Sequence, residues 1–492
     1  MSQLGHLSPQ PLWQFFEKIC SIPHPSHHEE ALAHYIVEWA RSQNLHVERD
    51  QVGNILIRKP ATPGMENRKP VVLQAHLDMV PQKNNDTEHD FTRDPIRPYI
   101  DGEWVKAQGT TLGADNGIGM ASALAVIASS DLEHGPLEVL LTIDEESGMT
   151  GAFGLQPNWL QGEILINTDS EEEGEIYMGC AGGIDATLTL PVSREATPAG
   201  MHAFTLTVKG LKGGHSGGDI HLYLGNANKM LGRFLFGHAE ELGLRLSDIH
   251  GGTLRNAIPR EGAATFVLPQ ANVERLQALV SKFTEIQKNE LGAIEPNLTI
   301  LLDNAAQPAQ VFAHDAQQRL LALLHSCPNG VMRMSDAVPG VVETSLNVGV
   351  VTTSDSEVKI VCLIRSLIDS GRCGVQNMLK ALAQLAGANA EFTGGYPGWK
   401  PDNSSPIMQV VRETYQDMFG KTPNIMVIHA GLECGLFKEP YPQMDMVSVG
   451  PTIRGPHSPD ERVHIASVDK YWQLLTMLLK NIPARGYLAD YP

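Results

Sequence analysis

Three short apolar runs in this chain end in side chains of the types that can bind metal ions. Val71-Val72-Leu73-Gln74-Ala75 leads into His76-Leu77-Asp78, Leu140-Leu141-Thr142-Ile143 into Asp144-Glu145-Glu146, and Ile164-Leu165-Ile166-Asn167-Thr168 into Asp169. A single polar strand end means little, since loops begin with polar residues anyway. Three in succession point to one shared site, because open α/β sheets build their sites outside the carboxyl ends of the strands. His76 and Asp78 stand two apart, so on a strand they share a face. That spacing suits a carboxylate that orients a ligand imidazole and raises its basicity. Asp115 lies in the turn-rich Gly109–Gly117 stretch ahead of a helix, where taken alone it reads as an N-cap. The adjacent Glu145 and Glu146 allow a division of labour, with one carboxylate on metal and its neighbour acting on water.

The elements that must carry these residues alternate helix with strand. Ser26-His27-His28-Glu29 reads as a capping box opening a helix that runs to about residue 42. A hairpin-like pair over 46–49 and 54–58 follows, then strands over 70–75, 137–143 and 163–166, with a small-residue helix over 117–129 between two of them. Runs rich in Val, Leu and Ile suit strands buried on both faces of a mostly parallel sheet. The fold class is therefore α/β. Around Pro191–Gly200 the texture changes to a Pro/Ala/Gly-containing connector. Beyond it, strands near 202–209, 253–268, 297–302, 343–351, 357–365 and 389–393 alternate with helices near 226–243, 272–290, 314–325 and 375–386. The pattern is an inserted α+β domain. Residues 1–195 and 394–492 are expected to form one domain around the insert at 196–393, the second segment supplying helix 405–419, strands near 424–428 and 444–449, and helix 467–481.

Bulk properties exclude several classes. A formal net charge of −19 argues against nucleic acid as a partner, which needs a basic face. The six cysteines are scattered without a Cys-x-x-Cys pair, as in a reducing, cytoplasmic setting rather than a disulfide scaffold. No apolar run approaches the ~18 residues of a membrane helix, and the N-terminus shows no signal-peptide pattern.

The set His76-x-Asp78, Asp115, Glu145-Glu146, Asp169 and His457 resembles the two-metal M20 metallopeptidase family, whose members include dipeptidases, tripeptidases and carboxypeptidases. The likeness covers essentially the whole chain and is most specific at 74–83, 109–121, 165–183, 210–218 and 450–460. One local departure is Asp144-Glu145-Glu146-Ser147, where Thr-Glu-Glu-Ala is expected. The resemblance implies a zinc-peptidase-like catalytic domain with a lid and dimerisation insert, acting as a homodimer on unblocked dipeptides, Xaa-His dipeptides included. It implies that Asp115 bridges two divalent ions, that His76 and Asp169 complete one site, and that Glu146 and His457 complete the other. Glu145 would be the general base and acid on a hydroxide held between the ions, with Asp78 orienting His76. Zinc fits the mix of imidazole and carboxylate ligands, as do cobalt and manganese. His215, in Gly213-Gly214-His215-Ser216-Gly217, resembles a lid histidine that reaches a partner subunit's site. Asn256 and Arg365 resemble lid positions that hold a substrate carboxylate. His429 and Glu433 follow a strand and are candidates for the pocket wall.

Other patterns carry less. Gly214-His215-Ser216-Gly217-Gly218 matches the serine-hydrolase elbow, but no strand leads directly into the serine. His28-Glu29-Glu30-Ala31-Leu32 has leucine where a zincin helix needs its second histidine. The glycines of Gly117-Ile118-Gly119 suit close helix packing, and Glu171–Glu175 reads as a solvated turn. An aminopeptidase, a tripeptidase or an amide deacylase would use the same ligands, and a non-catalytic metal-binding protein is the remote alternative.

Overall fold

The computed structural model describes residues 2–84 and 86–485. The chain forms two compact units. The first gathers the described residues of Met1–Gly179, Pro401–Val427 and Leu432–Pro492, and the second Cys180–Lys400 and Ile428–Gly431.

The first unit is built on an eight-stranded sheet in the order His46–Arg49, Ile55–Lys59, Leu137–Thr142, Val71–His76, Ile164–Asn167, Asp445–Ser448, Glu175–Cys180 and Asn424–Ile428. The central four run parallel, while the pairs on the His46 side are antiparallel. Every residue of Val71–His76, Leu137–Thr142 and Ile164–Asn167 is buried, which is why their sequences are continuously apolar instead of alternating. The register sets His76 opposite Thr142 and Gln74 opposite Asn167, so the three strands release their polar continuations along one edge. The helix Ala114–Ala128 is buried along nearly its whole length. A Cβ on Gly117 would come within 2.9 Å of the Phe16 ring, and one on Gly119 within 2.3 Å of Thr168 Oγ1. These glycines permit close packing, as their sequence context suggests.

One local reading is overturned. The helix expected from Ser26 begins at Glu30 and runs to Ser42, and its N-cap makes no side-chain hydrogen bond. Ser26 and Glu29 do not cap it because both side chains bond elsewhere, Ser26 to Asp78 and Glu29 to the backbone of Asp144.

The second unit carries a nine-stranded antiparallel sheet in which Gly182–Pro191 lies between Glu357–Ser366 and Asn389–Tyr396. Helices Ala227–Leu242, Val273–Leu291, His314–Ser326 and Asp369–Ala386 supply apolar side chains to one core with Phe266, Leu346 and Cys362 of the sheet. This is an α+β arrangement. The strand expected over 253–268 divides into Ala257–Ile258 and Gly262–Pro269, and Thr253–Asn256 is an exposed loop. No helix among the described residues is long and apolar enough to cross a membrane.

Candidate metal centre

At the carboxyl edge of the first unit's sheet, His76 projects from the last residue of its strand and is fully buried. Its Nδ1 lies 2.9 Å from the Asp78 carbonyl and 3.2 Å from Asp78 Oδ1. That leaves Nε2 for the centre, where it lies 3.1 Å from Asp115 Oδ1, 3.5 Å from Asp169 Oδ1, 3.6 Å from Glu145 Oε2 and 3.7 Å from Glu146 Oε1. The second oxygen of Asp115 faces a different histidine, His457, whose Nε2 is 3.2 Å away and also 3.1 Å from Glu146 Oε2. Asp115 thus presents one oxygen to each imidazole, the disposition a bridging carboxylate needs. Donor atoms of His76, Asp115 and Glu146 all fall within 4.8 Å of one another, and so do those of His76, Glu145 and Asp169. Each group could hold a cation.

The electrostatics agree. Burial pushes Glu145 well above the usual carboxylate range, with the Glu146 charge adding to it. Burial and the Asp115 charge push Asp169 up in the same way. Burial disfavours a charged His76, yet the surrounding carboxylates of Asp169, Glu145 and Asp115 drive it well above its ordinary value. Hydrogen bonds to the Asp115 and Glu146 carboxylates push His457 up to about 11. Buried carboxylates crowded together are stable only with positive charge among them, which bound cations would supply. The nitrogen and oxygen donor set fits zinc, manganese or cobalt.

Supporting groups fix these side chains. Asp78, held at about 2 against its burial by the His76 imidazole, accepts the N–H groups of Glu145 and Glu146 at 2.9 and 3.0 Å. Asn116 Oδ1 accepts the His76 N–H, and its amide donates to the Thr168 carbonyl. Glu461, four residues beyond His457, accepts the N–H groups of Leu112, Gly113 and Asp115. Glu433 is 1% exposed, and its Oε1 accepts from Gln74 and Thr142. Burial pushes it up to about 7. Sequence reasoning did not find Asn116 or Glu461, although the Asp115-Asn116 and His457-to-Glu461 spacings were available signals. Glu171 belongs to the run read as a solvated turn. Instead burial, with Asp115 and Asp169 adjacent, drives it well above the carboxylate range.

The remaining candidates lie in the second unit. His215 Nδ1 accepts the N–H groups of Gly217 and Gly218, which puts the proton of the neutral ring on Nε2. Asn256 is exposed, and its carbonyl accepts the Ser216 N–H. Arg365 is 4% exposed and donates to Ser216 Oγ and to Tyr396 OH. No carboxylate among the described residues pairs with it. Ser216 is therefore a hydrogen-bond partner for a guanidinium, with no elbow around it. His429 is also buried, with Nε2 2.7 Å from Ser345 Oγ. Burial and the Arg365 charge pull it down to about 3, so its ring is neutral.

A model of peptidase family M20/M25/M40 matches residues 72–481. The chain belongs to this peptidase family. Among M20 relatives, the cytosol non-specific dipeptidase of Escherichia coli (strain K12) is 70% identical over 485 residues, 99% of this chain and 100% of that protein. The crystal structure of aminoacylhistidine dipeptidase from Vibrio alginolyticus superposes with a TM-score of 0.89 at 65% identity, covering 99% of each chain. Aminopeptidase PepT from Bacillus cereus, at 16% identity and a TM-score of 0.61 over 97% of this chain and 99% of that one, shares the fold. The fold class and the M20 likeness expected from sequence hold, and the chain is a peptide-bond hydrolase.

Proposed function

We propose that this M20 peptidase is a dinuclear metallo-dipeptidase of the cytosol that hydrolyses unblocked dipeptides, Xaa-His dipeptides among them. The observation that carries the reading is Asp115 with one oxygen toward His76 and the other toward His457. The relatives named above support the substrate class. His76 and Asp169 would hold one ion, Glu146 and His457 the other, with Asp115 common to both; zinc is the metal proposed, and cobalt and manganese fit the same donors. Bound cations would polarise the scissile carbonyl and acidify water. Glu145, next to the centre but beyond ion-pair reach of His457 among the described contacts, would take the water's proton and deliver it to the leaving amine. Its raised affinity for protons suits that exchange. Asp78 keeps the His76 ring oriented.

The substrate's C-terminal carboxylate needs a cation. Arg365 supplies one that is buried and has no carboxylate partner among the described residues, with Asn256, His429 and His215 as further donors. His215 would stabilise the oxyanion through its Nε2 proton. In this reading the second unit is a lid that also joins two copies into a homodimer, and the helix Asp369–Ala386 exposes Met378 and Leu385 on its surface.

The test is a dipeptide panel assayed with and without chelator, free and C-terminally amidated. Turnover of free dipeptides that chelator abolishes supports the reading. Equal turnover of free and amidated dipeptides identifies an aminopeptidase instead.

A further inference from the structure

Ser26-His27-His28-Glu29 has the spacing of a helix cap and does not cap. The segment runs beside the end of the His76 strand, with Met79 N–H on the His24 carbonyl and Ser26 N–H on the Met79 carbonyl. From there its side chains reach the two groups that hold the Glu145-Glu146 turn. Ser26 Oγ donates to Asp78 Oδ2 at 2.6 Å, and Asp78 is the carboxylate that accepts the N–H groups of both glutamates. Glu29, 6% exposed, accepts the Asp144 N–H at 2.9 Å. His27 Nε2 lies 2.9 Å from Ser147 Oγ. The Asp144 carboxylate in turn accepts from Ser147 Oγ and Thr150 Oγ1.

The backbone shows how tightly this is held. His27 and Asp144 both adopt the left-handed region, with φ of 70° and 55°. Residues other than glycine are uncommon there, His and Asp less so than most, and here both are held by side-chain hydrogen bonds. On either side of Glu145-Glu146, then, the chain is pinned: by Asp78 through Ser26, and by Asp144 through Glu29, Ser147 and Thr150.

We infer that the 26–29 segment is a brace whose Ser26 and Glu29 are positioning residues for the proton-handling carboxylate of Glu145. Neither needs to touch substrate or metal. Ser26 fixes Asp78, so that both Asp78 oxygens stay on the glutamate N–H groups. Glu29 fixes Asp144 in its left-handed turn, which sets where the Glu145 side chain leaves the backbone. The inference rests on the role proposed for Glu145, and small displacements of a catalytic group are costly in rate.

The experiment uses full-length, metal-replete protein and Ala-His as substrate, reading kcat, KM, metal content and Tm for Ser26→Ala, Ser26→Thr, Glu29→Ala, Glu29→Gln and Glu145→Gln. Ser26→Ala and Glu29→Ala are expected to lower kcat by about tenfold or more, the scale of losing one charge-assisted hydrogen bond, with KM and metal content unchanged. Ser26→Thr and Glu29→Gln, which keep the donor and the acceptor, should restore kcat to within about threefold of the parent, about 0.65 kcal/mol at the barrier. Unchanged kcat in both alanine variants overturns the brace. So does a loss that follows metal content or Tm and is not rescued by the conservative variants. Glu145→Gln separates this from the reading beneath it. If it is fully active, the proton-handling role falls and the brace with it; if it is inactive while both alanine variants turn over normally, the brace alone is refuted.

Discussion

The first unit takes three of its five candidate ligands, His76, Glu146 and Asp169, from strand ends or the turns directly after them, and Asp115 and His457 meet at 3.2 Å beside the same carboxylates. The second unit gathers His215, Asn256, Arg365 and His429 from a two-residue strand, an exposed loop, the interior of a long strand and a four-residue return of the chain. One cluster is an excess of carboxylate that wants cations; the other is a buried cation and a neutral imidazole that want an anion. The contrast suits the proposed reading, in which the first cluster would activate water at the scissile bond and the second would recognise a free carboxylate.

The contrast breaks most sharply at the glutamate pair. Glu145→Gln should lower kcat by roughly a hundredfold or more with both metals retained, the scale of a lost general base, while Glu146→Gln should weaken occupancy of one site. Elemental analysis beside initial rates checks this. Equal metal loss in both variants would place Glu145 among the ligands, a position its 3.6 Å distance from His76 would permit. In the second unit, Arg365→Ala should cost about ten- to a hundredfold in kcat/KM on free dipeptides, the worth of about 1.5–3 kcal/mol. Amidated dipeptides, already poor substrates, should be unaffected. A loss on both would remove Arg365 from carboxylate recognition.

A smaller effect sharpens the electrostatic side. Glu433 is held protonated by burial, its folded pKa about 7. Because that value is raised, the folded state binds the proton more tightly than the unfolded chain does. Its stabilising contribution is complete below the unfolded value near 4.3 and is lost as pH rises toward 7, on the order of 3 kcal/mol in all. Chemical denaturation of chelator-stripped protein should show stability falling across that window, and Glu433→Gln should flatten the fall. The smallest effect is a control. Asn226 caps the helix Ala227–Leu242 by accepting the Lys229 N–H. Asn226→Ala should lower stability by about 1 kcal/mol without altering metal content.

Legibility in the sequence follows the same division. His76, Glu145, Glu146 and Asp169 could be read because a buried parallel strand is a continuous apolar run that ends abruptly at the site. The core helices of the second unit and six of the nine strands of its large sheet could be read from the sequence pattern, while Arg245–Gly251 and Gly330–Met334 were missed. Ser26 and Glu29 misled, because a cap and a brace use the same residues and only the Asp78 and Asp144 contacts distinguish them. Glu171 looked solvated in a run of glutamates, since the distant Asp115 and Asp169 that the fold sets beside it leave no local signal. The strand Gly182–Pro191 was passed over because it lies just ahead of the Pro/Ala/Gly connector, whereas its partners are the far Glu357–Ser366 and Asn389–Tyr396. Arg365 could be singled out only by resemblance, for nothing local shows that a guanidinium will be buried without a carboxylate.

The central claim is that Asp115 joins two cation sites in one centre. Calorimetric titration of chelator-stripped protein with zinc tests it most directly, run in parallel on Asp115→Asn. The account predicts about two ions per chain for the parent, as expected of a shared two-metal site, and weakening of both sites together in the variant. A single ion per chain, or a variant that loses one site and keeps the other intact, would contradict it.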